Sequence, residues 1–292
     1  MSTKNIELVL SPPEPHFVGD GFRVHNFIPG GYRADMVRMN PFILLDYGAK
    51  HYFPPTDQVR GVGVHPHRGF ETVTIAYKGR VAHHDSTGES GVIGEGDVQW
   101  MTAASGILHK EYHEKEFSKE GGEMQMVQLW VNLPAKDKMS VPKYQSLTNS
   151  QINKVILEKD GGVVEVIAGD YNGVSGSAST FSPVNLLNVK LNKNSGANFS
   201  FPARNNTALL VIDGDITVNQ VEEVPSDHFV LFQNDGEEIS IETSDGAVVL
   251  VMSGEDLNEP IAAHGPFVMN TRQEIQQAFE DFQRGKFGNL VD

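Results

Sequence analysis

The chain is 292 residues long, 39% hydrophobic and 21% charged, with a formal net charge of −15 and no cysteine. That charge repels phosphate and so argues against direct binding to nucleic acid or an anionic membrane, while the absent cysteines exclude disulfides, zinc–thiolate clusters and a cysteine nucleophile. No apolar run approaches the ~20 residues that cross a bilayer and the first residues lack the apolar core of a signal peptide, so a cytoplasmic globular protein of two domains is expected at this length.

Glycine and proline, 29 and 15 in number, punctuate the chain into short strands. Residues 5–45 read as strands broken by turns at Ser11-Pro-Pro-Glu-Pro15, Gly19-Asp-Gly21 and Pro29-Gly-Gly31. Asn40-Pro41-Phe-Ile-Leu-Leu-Asp46 is an apolar run suited to a buried strand, and His51-Tyr-Phe-Pro-Pro55 reads as a loop.

The densest chemistry then begins. Gly61-Val-Gly-Val-His65-Pro-His67-Arg-Gly-Phe-Glu71 opens it, and Ser105-Gly106-Ile-Leu-His109-Lys-Glu111 closes it. Successive side chains of a strand point to opposite faces, so His65 and His67 share one face, as do His109 and Glu111 on a second strand. Between them, Thr72–Tyr77 has the β-branched and aromatic content of a strand. Lys78-Gly79 is a hairpin-turn candidate, Val81–Asp85 and Asp97–Thr102 are further strands, and Ser86–Gly96 is rich in turns. Three imidazoles and a carboxylate brought together suit a divalent transition metal such as iron, manganese, nickel, copper or zinc. A lone His-x-His reads first as two surface histidines on an edge strand. The later Gly-x-x-His-x-Glu makes a metal site the stronger reading.

Glu123–Leu133 is the clearest strand of the first half, and Pro134-Ala-Lys-Asp-Lys-Met-Ser-Val-Pro142 reads as a linker. Strands resume at 162–168, 185–191, 208–212, 228–232, 239–243 and 247–252. One helix is expected at 271–284. Thr271-Arg-Gln-Glu274 is a capping box, Ile275, Ala278, Phe279 and Phe282 share a face, and Gly285 supplies a stop. The halves echo each other: Ala208–Gly214 repeats the pattern of Val73–Gly79. Aligning on those glycines, and Gly106 on Gly236, sets Ser200, Pro202, Ile239 and Ile241 where the first half has His65, His67, His109 and Glu111. The second half is therefore expected to lack a metal site.

His-x-His followed by Gly-x-x-His in a glycine-punctuated all-β chain resembles the cupin superfamily. His65-Pro-His67-Arg-Gly-Phe-Glu71-Thr-Val, Gln99-Trp-Met-Thr-Ala, Gly106-Ile-Leu-His-Lys-Glu111, Gln128-Leu-Trp-Val-Asn-Leu-Pro134 and Gly265-Pro-Phe-Val-Met-Asn270 resemble the pirin family within it. The resemblance implies an all-β bicupin. Its metal-binding barrel is expected at residues 1–134, and a barrel without metal, ending in the helix, at 143–292. It implies one metal per chain, usually Fe(II), held by His65, His67, His109 and Glu111. The general cupin pattern instead takes its carboxylate four residues after the second histidine, here Glu71. Strand parity allows either, and the pirin resemblance favours Glu111.

Some pirins open the heterocyclic ring of the flavonol quercetin with O₂, releasing carbon monoxide, which implies a small aromatic substrate and Glu111 as the base for its hydroxyl. Animal pirins are described as nuclear, redox-sensitive co-regulators, which implies as the alternative a metal-containing regulator with a transcription-related protein partner. The acidic charge and the lack of a Lys/Arg run favour the enzyme. Of the other histidines, His83 and His84 are adjacent, so only one can face a barrel interior, and each reads as a surface or hydrogen-bonding residue. Trp100, Met126, Gln128 and Trp130 fit a pocket wall but read first as core.

Overall fold

The structure is a computed structural model that describes residues 2–291. Strands hold 52% of the chain and helix 8%, which makes the class all-β. The residues fall into two compact units, and neither is a contiguous run. One comprises Glu14–Pro29, Phe42–Asn149 and the chain from Leu257 onward; the other comprises the chain through Pro13, Gly30–Pro41 and Ser150–Asp256.

This corrects the expected division at residues 1–134 and 143–292. Strand Ile6–Leu10 pairs with Phe229–Phe232, so the N-terminal segment completes the later unit. The C-terminal helix Arg272–Gln283 packs with Phe267, Phe287 and Met269 in the earlier one. Pro134–Pro142 is no free spacer either. It contains a 3-10 turn at Ala135–Asp137, Lys138 is fully buried, and the next strand, Lys143–Leu147, joins the sheet edge beside Val98–Thr102.

Each unit pairs a seven-stranded with a four-stranded antiparallel sheet. In the earlier unit Phe70–Lys78 lies inside the large sheet, flanked by Val98–Thr102 and Gly122–Asn132. All but the last of its residues are buried, as expected of a strand covered on both faces. The small sheet orders Gly61–His67, Ile107–His113, Val81–Asp85 and Ser90–Ile93. Lys78-Gly79 is therefore a corner at which the chain changes sheets, not a hairpin.

The later unit repeats this order with Ser195–Ser200, Glu238–Thr243, Ile216–Val218 and Glu222–Val224. Its register corrects the sequence alignment by one residue. Phe199 lies opposite Ile239, as His65 lies opposite His109, so Phe199 and Phe201 replace the two histidines, not Ser200 and Pro202. A one-residue slip exchanges the faces of a strand. Phe199, Phe201, Ile239 and Ile241 all join this unit's apolar core.

The helix starts where the capping box places it, with Thr271 accepting from the Glu274 backbone N–H. Ile275 and Ala278 are buried, but Phe282 is 39% exposed, contrary to expectation, and Asp281 takes the buried position. Arg68 is the reason. Its buried guanidinium donates to Asp281 Oδ2 at 3.0 Å and Ser105 O at 2.7 Å and covers the Phe287 ring.

Candidate metal centre

The centre is built on the pairing of Gly61–His67 with Ile107–His113. His65 lies opposite His109 and His67 opposite Ile107, and a bulge after His109 sets Glu111 opposite Val62. Bulges re-aim side chains in this way. The His65, His67 and His109 rings have centroids 4.2–4.8 Å apart, and one nitrogen from each lies within 4.8 Å of the others. His67 and His109 are buried while His65 is half-buried, so the cluster opens on the His65 side.

The nitrogens are disposed for a metal. His65 Nδ1 lies 2.8 Å from Gly63 O; a carbonyl only accepts, so Nδ1 carries the proton and Nε2 the lone pair. His67 Nδ1 and His109 Nε2 are buried with no hydrogen-bond partner. Unpartnered buried polar atoms cost about 1–3 kcal/mol each, and a divalent ion that accepts imidazole lone pairs is the group these donors fit. Burial, then the neighbouring His65 ring, pushes both His67 and His109 well below the ordinary histidine range, while the Pro266 carbonyl pulls His67 the other way. Neutral imidazole is the metal-binding form.

Glu111 is buried beside this cluster, but it groups with His109 and His83 rather than with all three imidazoles. Its carboxylate accepts from Gln128 Nε2 at 2.6 Å, Thr74 Oγ1 at 3.1 Å and Gln99 Nε2 at 3.4 Å. Glu71 belongs to neither constellation. Its Oε1 accepts from Thr102 Oγ1 at 2.7 Å and Oε2 has no partner. Burial pushes it up to about 7, against the Thr102 hydroxyl, the Trp100 indole and the charge of Lys143.

Three further residues were not placed at the site by sequence: His83, which read as a surface or hydrogen-bonding residue, Gln99 and Thr74. Strand pairing was the available signal. Glu111 pairs with His83 and His109 with Asp85, so the even spacing that groups 109 with 111 also turns 83 and 85 inward. His83 is fully buried, whereas His84 faces out and meets the Tyr112 hydroxyl at 2.7 Å. Gln128 is a direct partner of Glu111, and Trp130 stacks on Phe70 with both rings 5.1 Å from His67. His113 is structural: it packs among Phe22, Phe53 and Phe117, with Nε2 2.7 Å from Gly21 O.

The corner that carries His67 is held rigidly. Gly69 has φ +92°, and a Cβ there would meet Val268 O at 1.9 Å, so only glycine fits. Arg68 N donates to Pro266 O and Val268 N to Arg68 O. A cavity of about 890 Å³ in the other unit is lined by Asn198, Thr217, Glu223 and Glu242 among others, without one imidazole, so the chemistry points to the histidine cluster.

The family model described as Pirin matches residues 21–131, and that of the Pirin C-terminal cupin domain matches residues 186–288. The chain belongs to the pirin family. Its two units are accordingly cupin barrels, with the helix at the C-terminal end of the chain. A Pseudomonas aeruginosa pirin relative, named as a candidate quercetin 2,3-dioxygenase, is 48% identical over 272 residues, covering 93% of this chain and 94% of that one. The crystal structure of a quercetin 2,3-dioxygenase from Acinetobacter baumannii matches with a TM-score of 0.93 at 43% identity, covering 99% of this chain and all of that one. A bacterial pirin from Escherichia coli, solved in complex with nickel(II), shares the fold with a TM-score of 0.66 at 18% identity over 85% of this chain and 100% of that one. Among the described residues no helix is long and apolar enough to cross a membrane.

Proposed function

We propose that this pirin is a metal-dependent dioxygenase that opens the heterocyclic ring of a flavonol such as quercetin, releasing carbon monoxide. One observation carries the reading: the His65, His67 and His109 imidazoles converge, with His67 Nδ1 and His109 Nε2 buried and unpartnered. The quercetin dioxygenase names of similar proteins supply the substrate class. His65, His67 and His109 would hold one ion, with Glu111 as the fourth ligand; Glu71, in neither constellation, is left out. The second barrel, with Phe199, Phe201, Ile239 and Ile241 in those places, would hold none.

Fe(II), the ion proposed for this ligand set, supplies oxygen activation and Lewis acidity when bound. The protein's own part is positioning and proton transfer. Gln128, Gln99 and Thr74 fix the Glu111 carboxylate, which is then aimed to take the proton of a substrate hydroxyl. Substrate would approach from the His65 side, the less buried face. Phe70 and Trp130, both against the His67 ring, form an apolar wall that keeps water from oxidised carbon centres.

The test is loss of quercetin absorbance with O₂ uptake and carbon monoxide detection, for iron-loaded and metal-free protein. Turnover is expected only with metal. Fully loaded protein no faster than metal-free protein would sink the reading.

A further inference from the structure

Behind His109 runs a chain of polar contacts that leaves the chemistry of the site one arrangement. His109 Nδ1 lies 3.4 Å from His83 Nδ1, and His83 Nε2 lies 3.3 Å from Asp85 Oδ2. All three residues are buried. The other Asp85 oxygen, Oδ1, accepts from Thr87 Oγ1 at 2.6 Å, Thr87 N at 2.8 Å and Glu89 N at 3.3 Å.

We infer that Asp85 and His83 are positioning residues that fix the tautomer of His109 and so present its Nε2 lone pair to the metal. The inference rests on the metal-centre reading above. An ionised carboxylate can only accept, so the His83 proton must sit on Nε2. With its proton on Nε2, His83 turns Nδ1 toward His109 as the accepting nitrogen. His109 must answer with Nδ1–H, which leaves Nε2 bare, and Nε2 is the buried nitrogen without a partner. The His83 ring is held for this role by stacking on Tyr144 at 5.1 Å with an interplanar angle of 5°. Partners that orient a ligating imidazole typically change metal affinity by about 10–100-fold.

The same logic says what an isosteric change does. In Asp85→Asn the three donors on Oδ1 require an oxygen there, so the amide NH₂ faces His83. His83 must then accept at Nε2 and carry its proton on Nδ1. His109 accepts in turn at Nδ1, and its Nε2 becomes an N–H that blocks the metal. His83→Gln keeps a donor toward Asp85 and an acceptor toward His109. His83→Leu keeps neither.

Two measurements test this on the full chain. Long-range ¹H–¹⁵N NMR of metal-free protein should show His109 protonated at Nδ1 in wild type and at Nε2 in Asp85→Asn. A competition titration with Zn²⁺, a diamagnetic ion for this ligand set, should show affinity about 10–100-fold weaker in Asp85→Asn and His83→Leu, with His83→Gln largely restored. Wild-type His109 protonated at Nε2, or unchanged zinc affinity in Asp85→Asn, would overturn the inference. So would a His83→Leu protein as devoid of metal as His109→Ala with His83→Gln no better, since His83 would then be a ligand itself. If wild type shows the expected tautomer yet binds no metal, the metal-centre reading fails and takes the positioning role with it.

Discussion

Glu71→Gln separates the two carboxylates that sequence leaves open, and it does so by stability as well as by metal. The Glu71 carboxyl is held at about 7 against an ordinary 4.5, chiefly by burial. A gap of about 2.5 pH units corresponds to roughly 3 kcal/mol, at about 1.4 kcal/mol per unit. The folded pKa is raised, so between about 4.5 and about 7 the folded state binds the extra proton, and stability falls as pH rises. Above that window the full ionisation cost is present; below it, none.

His67 and His109 act in the opposite sense. Their folded pKa values are depressed, so the unfolded chain takes up protons first and stability falls as pH drops below about 6.5. Wild type alone therefore mixes the two trends, and the informative quantity is its difference from Glu71→Gln. Urea unfolding of metal-free protein should show the variant gaining about 3 kcal/mol on wild type between pH 4.5 and pH 8. The two tryptophans, Trp100 and Trp130, both lie in the histidine-bearing unit, so their fluorescence reports that unit by itself. The variant should also keep its metal. A constant offset across the pH range would refute the titration argument, and metal loss on the scale of a histidine ligand variant would return Glu71 to the ligand set.

Glu111→Gln should lower quercetin turnover by roughly 10²–10⁴ in iron-loaded protein, measured by absorbance loss, because an amide cannot take the substrate proton. Wild type should carry a single equivalent of metal by elemental analysis, and His65→Ala and His109→Ala should lose it; residual full occupancy would place the ion elsewhere. Lys138→Met should destabilise the histidine-bearing unit by about 3 kcal/mol or more in urea titrations. Its Nζ donates to Asn132 Oδ1, Gly69 O and Val268 O at 2.6–3.0 Å, and each abandoned buried acceptor costs about 1–3 kcal/mol.

What could be read from sequence follows from how rigid each rule is. Strand alternation is fixed at two, so His65 with His67 and His109 with Glu111 were legible as shared faces, and a capping box fixed the helix start at Thr271. Alignment through a loop is less rigid. The path from Phe199 to Gly214 is one residue longer than that from His65 to Gly79, so matching the glycines shifted the later barrel by one place. The placement of the chain ends was not legible, because pairing Ile6–Leu10 with Phe229–Phe232 is a contact between segments far apart in sequence. Asp281 was hidden for another reason. Charged residues are rarely assigned to a buried helix face, and only its partner Arg68, far back in the chain, makes the position reasonable.

That partnership explains why the motif around the first histidines is longer than metal binding requires. His65 and His67 need only alternate along a strand, yet Arg68 and Gly69 follow at once, and both are committed to the C-terminal segment. Arg68 engages Asp281 and Phe287, while Gly69 lies against Val268. Lys138 ties Gly69 and Val268 together from the other side. His67 is thus the last residue of a strand whose turn is clamped by residues from Pro266 onward. His67, proposed as a ligand and placed at a strand end, would otherwise share the mobility of its turn. Metal-site geometry depends on ligands held to within about 0.5 Å, and the C-terminal helix, expected to belong with the later barrel, supplies part of that rigidity to the earlier one.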